Sequence, residues 1–344
     1  MRYDNMYIAG LAARYPKGVL AEEAVADGRY ESRLFERTRQ HRVAIAGADE
    51  AAPHLAEQAG KLALQRSGHS PAEVALLLHA VATHNGLEGW NAASYLQHRV
   101  LGGAGVALEI RQLSNGAMAA FDLAFAYLRT FDGEAALITA ADVFCEPVWN
   151  RWRASPGLVF ADGASAAVLS RRGGFARIVS CASVCDSTLE GMQRGRKPFH
   201  VDVGTESVSL HERTLEFADT MPLDEATGRM AAGLREAGDR AAADAGMSLD
   251  AADHYVLPNF GHDLLRQECL EPLGLTAERT TWTWGTEIGH AGASDQFGGL
   301  AHLAETGRLA PGQRVLLVGV GGGFNWTCAV LEILEPPRWG NLPV

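Results

Sequence analysis

Residues 108–116 read Leu-Glu-Ile-Arg-Gln-Leu-Ser-Asn-Gly, a short apolar stretch that ends in a polar, glycine-containing turn. The next run, residues 117–131, is apolar almost throughout. This order predicts a strand, a tight turn and a buried helix, with the hydroxyl of Ser114 at the helix entrance. Such a serine is most often an N-cap that accepts from unpaired backbone N–H groups. The alternative is a nucleophile, placed where the helix dipole favours negative charge.

Alternation of strands and helices extends over the whole chain. Strands are predicted over 7–11, 74–83, 106–110, 135–141, 163–170, 254–257, 314–320 and 324–334. Helices are predicted over 55–67, 91–100, 117–131, 226–245, 264–271 and 295–306. This rhythm predicts an α/β protein with mostly parallel, buried sheets covered by helices. Each half ends in a glycine-containing turn and an apolar strand, so we predict duplicated α/β units over 1–171 and 172–344.

Composition narrows the class of protein. With 344 residues and 47% hydrophobic residues, the chain is long enough for two cores. A net charge of −11 without a long Lys/Arg run argues against a nucleic-acid partner. No apolar run reaches the roughly 18 residues of a membrane span, and the N-terminus does not begin a signal peptide. The five cysteines lack metal-site spacing, so we expect reduced thiols, no bound metal and a cytoplasmic protein.

A candidate general base follows much later, in residues 289–295, Gly-His-Ala-Gly-Ala-Ser-Asp. A serine hydroxyl is a weak nucleophile at neutral pH and needs an adjacent base. His290 supplies that base, and Asp295 would orient it, as in Ser–His–Asp acyl transfer. The simpler alternatives are a structural histidine in a small-residue loop and an aspartate that caps a helix. Gly323, in a triple-glycine turn, offers a backbone N–H to an oxyanion or only a tight turn.

Three motifs resemble one known family. Residues 305–313 read Glu-Thr-Gly-Arg-Leu-Ala-Pro-Gly-Gln, and residues 319–327 read Gly-Val-Gly-Gly-Gly-Phe-Asn-Trp-Thr. Together they closely resemble the end of β-ketoacyl-acyl-carrier-protein synthase III, and residues 160–169 resemble another motif of that family. The resemblance implies a thiolase-like fold, with duplicated α/β halves in α-β-α-β-α layers, in a homodimer. It also implies no permanently bound cofactor and, as donor, a thioester of coenzyme A or of a carrier protein's phosphopantetheine.

The three catalytic positions of that family are all changed. Its nucleophilic cysteine falls on Ser114, its histidine on Asn259 and its asparagine on His290. A condensing enzyme needs its histidine and asparagine around a malonyl thioester, to stabilise the enolate formed on decarboxylation. This chain exchanges their places and adds Asp295. The set resembles that of synthase-III-like acyltransferases of natural-product pathways, some of which carry Cys/Ser–His–Asp sites.

Three functions fit this set. The first is an acyltransferase that moves an acyl group through an acyl-serine to a hydroxyl or amine of a small-molecule acceptor. Backbone N–H groups of Ser114 and Gly323 would bind the oxyanion, helped by the amide of Asn259. The second is a starter-unit condensing enzyme of polyketide biosynthesis that primes on serine. The third is a non-catalytic partner subunit.

Several arginines and histidines are candidates for the entrance to the site because of their positions along the chain. Arg37, Arg39 and Arg42 lie where the family often contacts the coenzyme A nucleotide, although a solvated basic loop is the simpler explanation. His200 and His211 lie in a mid-chain insertion and are candidates for shaping an acceptor site.

Overall fold

The computed structural model describes residues 5–84, 86–103, 105–131, 133–199, 207–337 and 339. The strands are β1 (Tyr7–Arg14), β2 (Gly18–Leu20), β3 (Arg42–Ala44), β4 (Val74–Ala80), β5 (Val106–Ile110), β6 (Ala135–Asp142), β7 (Gly163–Ser170), β8 (Ala176–Cys185), β9 (His254–Val256), β10 (Arg314–Gly321) and β11 (Asn325–Ile333). All but β2 and β3, which pair with each other, form one sheet in the order β5-β4-β6-β7-β1-β8-β11-β10-β9.

Helices connect these strands. They are α1 (Ala21–Ala26), α2 (Ser32–Thr38), α3 (Ala52–Ser67), α4 (Ala92–Leu96), α5 (Gly116–Thr130), α6 (Gly191–Arg194), α7 (Leu210–Phe217), α8 (Leu223–Asp244), α9 (His262–Leu265), α10 (Glu271–Leu273), α11 (Trp282–Gly285) and α12 (Asp295–Glu305). Two π-helical turns, Gln97–Leu101 and Arg266–Leu270, continue α4 and α9. The regular helices predicted over 91–100 and 264–271 are therefore each interrupted.

The sheet repeats its strand order on either side of the contact between β1 and β8. Outward on one side lie β1, β7, β6, β4 and β5, and on the other lie β8, β11, β10 and β9. Thr280, bridged in parallel to Tyr255, occupies the place of a fifth strand in the second series. The arrangement is the duplicated one expected of a thiolase-like fold, while the domain boundary at residue 171 stays a prediction.

The expectation of a mostly parallel sheet is wrong. Only β4 with β5, β4 with β6, and β9 with β10 run parallel in the described sheet. The strand β8, which the sequence did not predict, pairs antiparallel with both β1 and β11. The connections from β6 to β7 and from β10 to β11 contain no helical crossover, so each second strand returns antiparallel beside the first.

Helices cover the sheet in layers. One outer face carries α3, packed on β1, β6 and β7, and the other carries α8, packed on β8 and β11. Between them lie α5 and α12, which share the largest core cluster and touch through Phe121 and Phe297, 6.1 Å between ring centroids. This central position explains why α5 is apolar almost all round, because both of its sides face other layers. In the described residues, no helix has the length and apolar character needed to cross a bilayer.

Candidate active site

Ser114 lies in a 3₁₀ turn, Leu113–Asn115, between β5 and α5. No side chain caps α5, so the expected alternative of a capping serine does not describe its hydroxyl. Instead Ser114 Oγ lies 2.7 Å from Nε2 of His290. The preceding Leu113 has φ of +47°, a left-handed conformation that is strained for a residue with a side chain. The turn therefore holds the serine in an orientation that local preference alone would not select.

Strand β10 packs closely against the turn that carries Ser114. A Cβ on Gly319 would lie 2.2 Å from Asn115 Oδ1, and one on Gly321 would lie 2.6 Å from a backbone oxygen of Gln112. Only glycine permits so close an approach. The buried Asn115 then donates to Thr327 on β11 at 3.0 Å. The second half of the chain thus fixes the position of the nucleophile candidate from the first half.

His290 is held by both its backbone and its ring. Its N–H donates to the carbonyl of Val159 at 2.8 Å, and its carbonyl accepts from Ala161 at 2.9 Å. The ring centroids of Phe160 and Phe260 lie 5.8 and 5.4 Å from the centroid of the imidazole. Only 1% of the residue is exposed, so the imidazole has little freedom to turn.

Asp295 is fully buried at the start of α12 and accepts through both oxygens. Oδ2 lies 2.6 Å from His290 Nδ1 and accepts from the backbone N–H of Asn259 at 2.9 Å. Oδ1 accepts from the backbone N–H of Ala291 at 2.9 Å. A carboxylate facing Nδ1 makes that nitrogen the donor, which leaves the Nε2 lone pair to accept the Ser114 proton.

Asn259 does not occupy the role expected for it. Its side-chain amide donates to the carbonyl of Gly289 at 3.0 Å and to Asp295 Oδ1 at 3.3 Å. Both amide hydrogens are thereby engaged, so neither is available to an oxyanion. Asn259 instead positions Asp295 and the turn that carries His290.

A second buried carboxylate, which the sequence analysis missed, supports the same turn. Asp142, at the end of β6, accepts from the N–H groups of Ala82 and Thr83, each at 2.8 Å, and from Ala293 at 3.0 Å. Gly292 has φ of +61°, and a Cβ there would lie 2.2 Å from the carboxylate. Burial raises the pKa of Asp142 while these donors oppose the rise. An aspartate directly after a buried strand was the available signal.

A cavity of about 250 Å³ opens above Ser114 and His290. His211 lines it, although its part in an acceptor site stays a prediction, and His200 lies outside the described residues. Gly322 and Phe324 line it on either side of Gly323, whose N–H remains a predicted oxyanion donor. Arg37 and Arg39 are exposed and do not line it, and Arg37 contacts Asp263 at 3.3 Å. Their contact with coenzyme A stays a prediction.

No group of side chains suited to a metal ion occurs in the described residues. The polar residues beneath the cavity are connected to one another instead, from Ser114 through His290 to Asp295. A layered, duplicated α/β arrangement that brings a candidate nucleophile beside a candidate base is the architecture of a thiolase-like transferase.

Comparison with known proteins assigns the family. Residues 242–333 match the model of the 3-oxoacyl-[acyl-carrier-protein] synthase III C-terminal region. The 3-oxopimeloyl-[acyl-carrier-protein] synthase of Rhodothermus marinus is 31% identical over 305 residues, which are 87% of this chain and 84% of the relative. The β-ketoacyl-[acyl-carrier-protein] synthase III of Rhizorhabdus wittichii is 27% identical over 301 residues, 87% and 89% of the two chains. The protein belongs to the β-ketoacyl-acyl-carrier-protein synthase III family.

Solved structures agree with this assignment. The acyltransferase ChlB3 is 34% identical, with a TM-score of 0.93, over 97% of this chain and 99% of its own. The priming β-ketosynthase of the R1128 polyketide biosynthetic pathway is 18% identical, with a TM-score of 0.76, over 96% of this chain and 97% of its own. At that identity the second similarity concerns the fold alone.

Proposed function

We propose that the protein is an acyltransferase that works through an acyl-Ser114 intermediate. The observation that carries the proposal is the hydrogen-bonded series from Ser114 Oγ to His290 Nε2, at 2.7 Å, and from His290 Nδ1 to Asp295, at 2.6 Å. Serine requires a base within hydrogen-bonding reach and a group that orients that base. The similarity to the acyltransferase ChlB3 supports the same reading.

The first half-reaction transfers the acyl group to the enzyme. Ser114 Oγ attacks the thioester carbonyl as its proton passes to His290 Nε2. The tetrahedral oxyanion is bound by backbone N–H groups of Ser114 and Gly323. The C–S bond then breaks, and His290 returns the proton to the departing sulfur, which leaves as a thiol. The donor is an acyl thioester of coenzyme A or of the phosphopantetheine of a carrier protein.

The second half-reaction uses the same base. His290 takes a proton from a hydroxyl or amine of a natural-product acceptor, whose oxygen or nitrogen attacks the acyl-serine carbonyl. The C–Oγ bond breaks and Ser114 regains its proton from His290. The product is an ester or an amide, and no permanently bound cofactor is needed for either step.

The environment of Asn259 disfavours the alternative of decarboxylative condensation. That reaction needs polar groups directed at the malonyl thioester, but the amide hydrogens of Asn259 are bonded to Gly289 and Asp295. Asp295 also fixes His290 as a base toward Ser114. We therefore expect little carbon dioxide release from malonyl-carrier protein in the presence of an acyl donor.

The test is intact-protein mass spectrometry after incubation with a panel of acyl thioesters. Wild-type protein should gain the mass of one acyl group, and Ser114→Ala should gain none. Ser94→Ala, an exposed serine on α4, is the matched control and should acylate as the wild type does. An unchanged mass of the wild type with every thioester would remove the proposal.

We also propose that two copies pair through β5. This strand ends the described sheet, and Val106 and Leu108 are 43% and 50% exposed on it. Leu123 and Phe131, at 52% and 55%, add exposed apolar surface on and just after the neighbouring α5. An apolar edge strand is an open site for pairing with another chain. Light scattering should give the mass of a dimer, and Leu108→Lys should shift it toward the monomer.

A further inference from the structure

The cavity lies between two hydrophobic clusters of different character. One side belongs to a small aromatic cluster that includes Phe144 and Phe160, with Trp149 packed on it. The other side belongs to the core around α8, represented in the cavity by Met230 and Phe324. An acyl group needs little more than apolar walls, and the aromatic side beside His290 provides them.

Glu268 also lines the cavity, and its neighbours Leu265 and Cys269 belong to the core around α8. Among the described residues its carboxyl takes part in no hydrogen bond or ion pair, and burial raises its pKa. The nearby Arg266 does not pair with it, since that guanidinium contacts Glu271 on the surface. Glu268 is therefore a polar group on an apolar wall, without a partner in the part of the chain that the structure describes.

The local backbone conformation brings Glu268 to the cavity. Glu268 lies in the π-helical turn Arg266–Leu270, and Leu264, which precedes this turn, also lines the cavity. Single π-helical turns within α-helices occur frequently at functional sites. Burial raises the pKa of Glu268 to about 7, so near neutral pH the group is present both as acid and as carboxylate. Either form accepts a hydrogen bond.

We propose that Glu268 binds a second hydrogen-bond donor of the acceptor, so that the acceptor is a vicinal diol or an amino alcohol rather than a simple alcohol. The inference rests on the proposed acyl transfer and adds the acceptor class to it. The acyl group would lie on the aromatic side, and the acceptor on the side of Glu268. An acceptor without the second donor would leave this partly buried carboxyl unpaired, which lowers the rate of that acceptor by about 10-fold or more.

The experiment isolates the second half-reaction. Acyl-Ser114 protein is prepared, freed of excess thioester and mixed with trans-2-aminocyclohexanol, cis-1,2-cyclohexanediol or cyclohexanol. The decay of the acyl-enzyme mass and the appearance of ester or amide are followed. With the wild type, at least one of the bifunctional acceptors should react about 10-fold faster than cyclohexanol.

Variants assign the preference to the carboxyl. Glu268→Leu should abolish the preference, and Glu268→Gln, which keeps an accepting oxygen, should retain part of it. Gln267→Leu, at an exposed polar residue of the same π-helical turn, is the matched control and should retain all of it. Equal rates for the three acceptors, zero rates included, would overturn the inference, as would an undiminished preference in Glu268→Leu. Failure of the wild type to form any acyl-enzyme would instead overturn the proposed function itself.

Discussion

Two carboxyl groups near the same cavity have opposite surroundings. Asp295, at the end of the turn 289–295, accepts from His290, Asn259 and Ala291. Glu268, in the π-helical turn 266–270, contacts the cavity and has no partner among the described residues. The first carboxyl is committed to positioning protein groups, whereas the second is available to a substrate. In the proposed reaction, the first carboxyl therefore organises the chemistry and the second selects what reacts.

The largest effect is expected when the candidate base, His290, is removed. His290→Gln removes the base but leaves Ser114 in place, so acyl-enzyme formation should slow by roughly 10⁴-fold or more. Single-turnover acylation followed by mass spectrometry measures this rate. His98→Gln changes an exposed histidine and serves as the control. Acylation at the wild-type rate would show that another group activates Ser114.

A smaller effect is expected when only the orientation of the base changes. In Asp295→Asn the new amide can present an N–H to Nδ1 of His290, which stabilises the tautomer with its proton on Nε2. That nitrogen then cannot accept from Ser114, and the acylation rate should fall by about 10²- to 10⁴-fold. Combining this variant with His290→Gln should cost little beyond His290→Gln alone, because the residues act as a unit. Additive losses would contradict the hydrogen-bonded series.

Changing Asp142, which accepts from Ala293 in the turn 289–295, should affect stability more than chemistry. Asp142→Asn keeps one oxygen for the N–H groups of Ala82 and Thr83 but places an NH₂ group, which cannot accept, against the N–H of Ala293. The free energy of unfolding should fall by about 1–3 kcal/mol, the usual cost of unpaired buried groups. Urea denaturation measures the change, with the exposed Asp49→Asn as control. Equal stability of the two variants would show that the turn does not depend on Asp142.

The sequence singled out the three residues that the structure brings together, but it did not single out Asp142 or Glu268. Ser114, His290 and Asp295 were recognisable because acyl transfer needs those residue types, and a family resemblance assigned the positions of Ser114 and His290. Asp142 was not, since its donors come from segments about 60 and 150 residues away. Glu268 was not, because a regular helix was expected where the chain forms a π-helical turn.

The direction of strand pairing was predicted wrongly for a related reason. Alternating strands and helices predict parallel neighbours only when every connection crosses over the sheet, and the connections into β7 and β11 do not. The residue patterns located these strands well, as the predicted segment 163–170 coincides with β7. Pairing direction depends on the path of the chain between strands, which local periodicity does not record.

A last prediction concerns Glu268 and the pH dependence of stability. The pKa of Glu268 is about 7 in the folded protein and near 4.3 in an unfolded chain, so folding favours its protonated form. The contribution of this group to stability is therefore greatest below about pH 4, falls as the pH rises to about 7 and is constant above that. Glu268→Gln removes this dependence. In urea denaturation, the free energy of unfolding of the variant minus that of the wild type should be larger at pH 8 than at pH 5. A pH-independent difference would mean that the carboxyl is already solvated or paired in the folded protein.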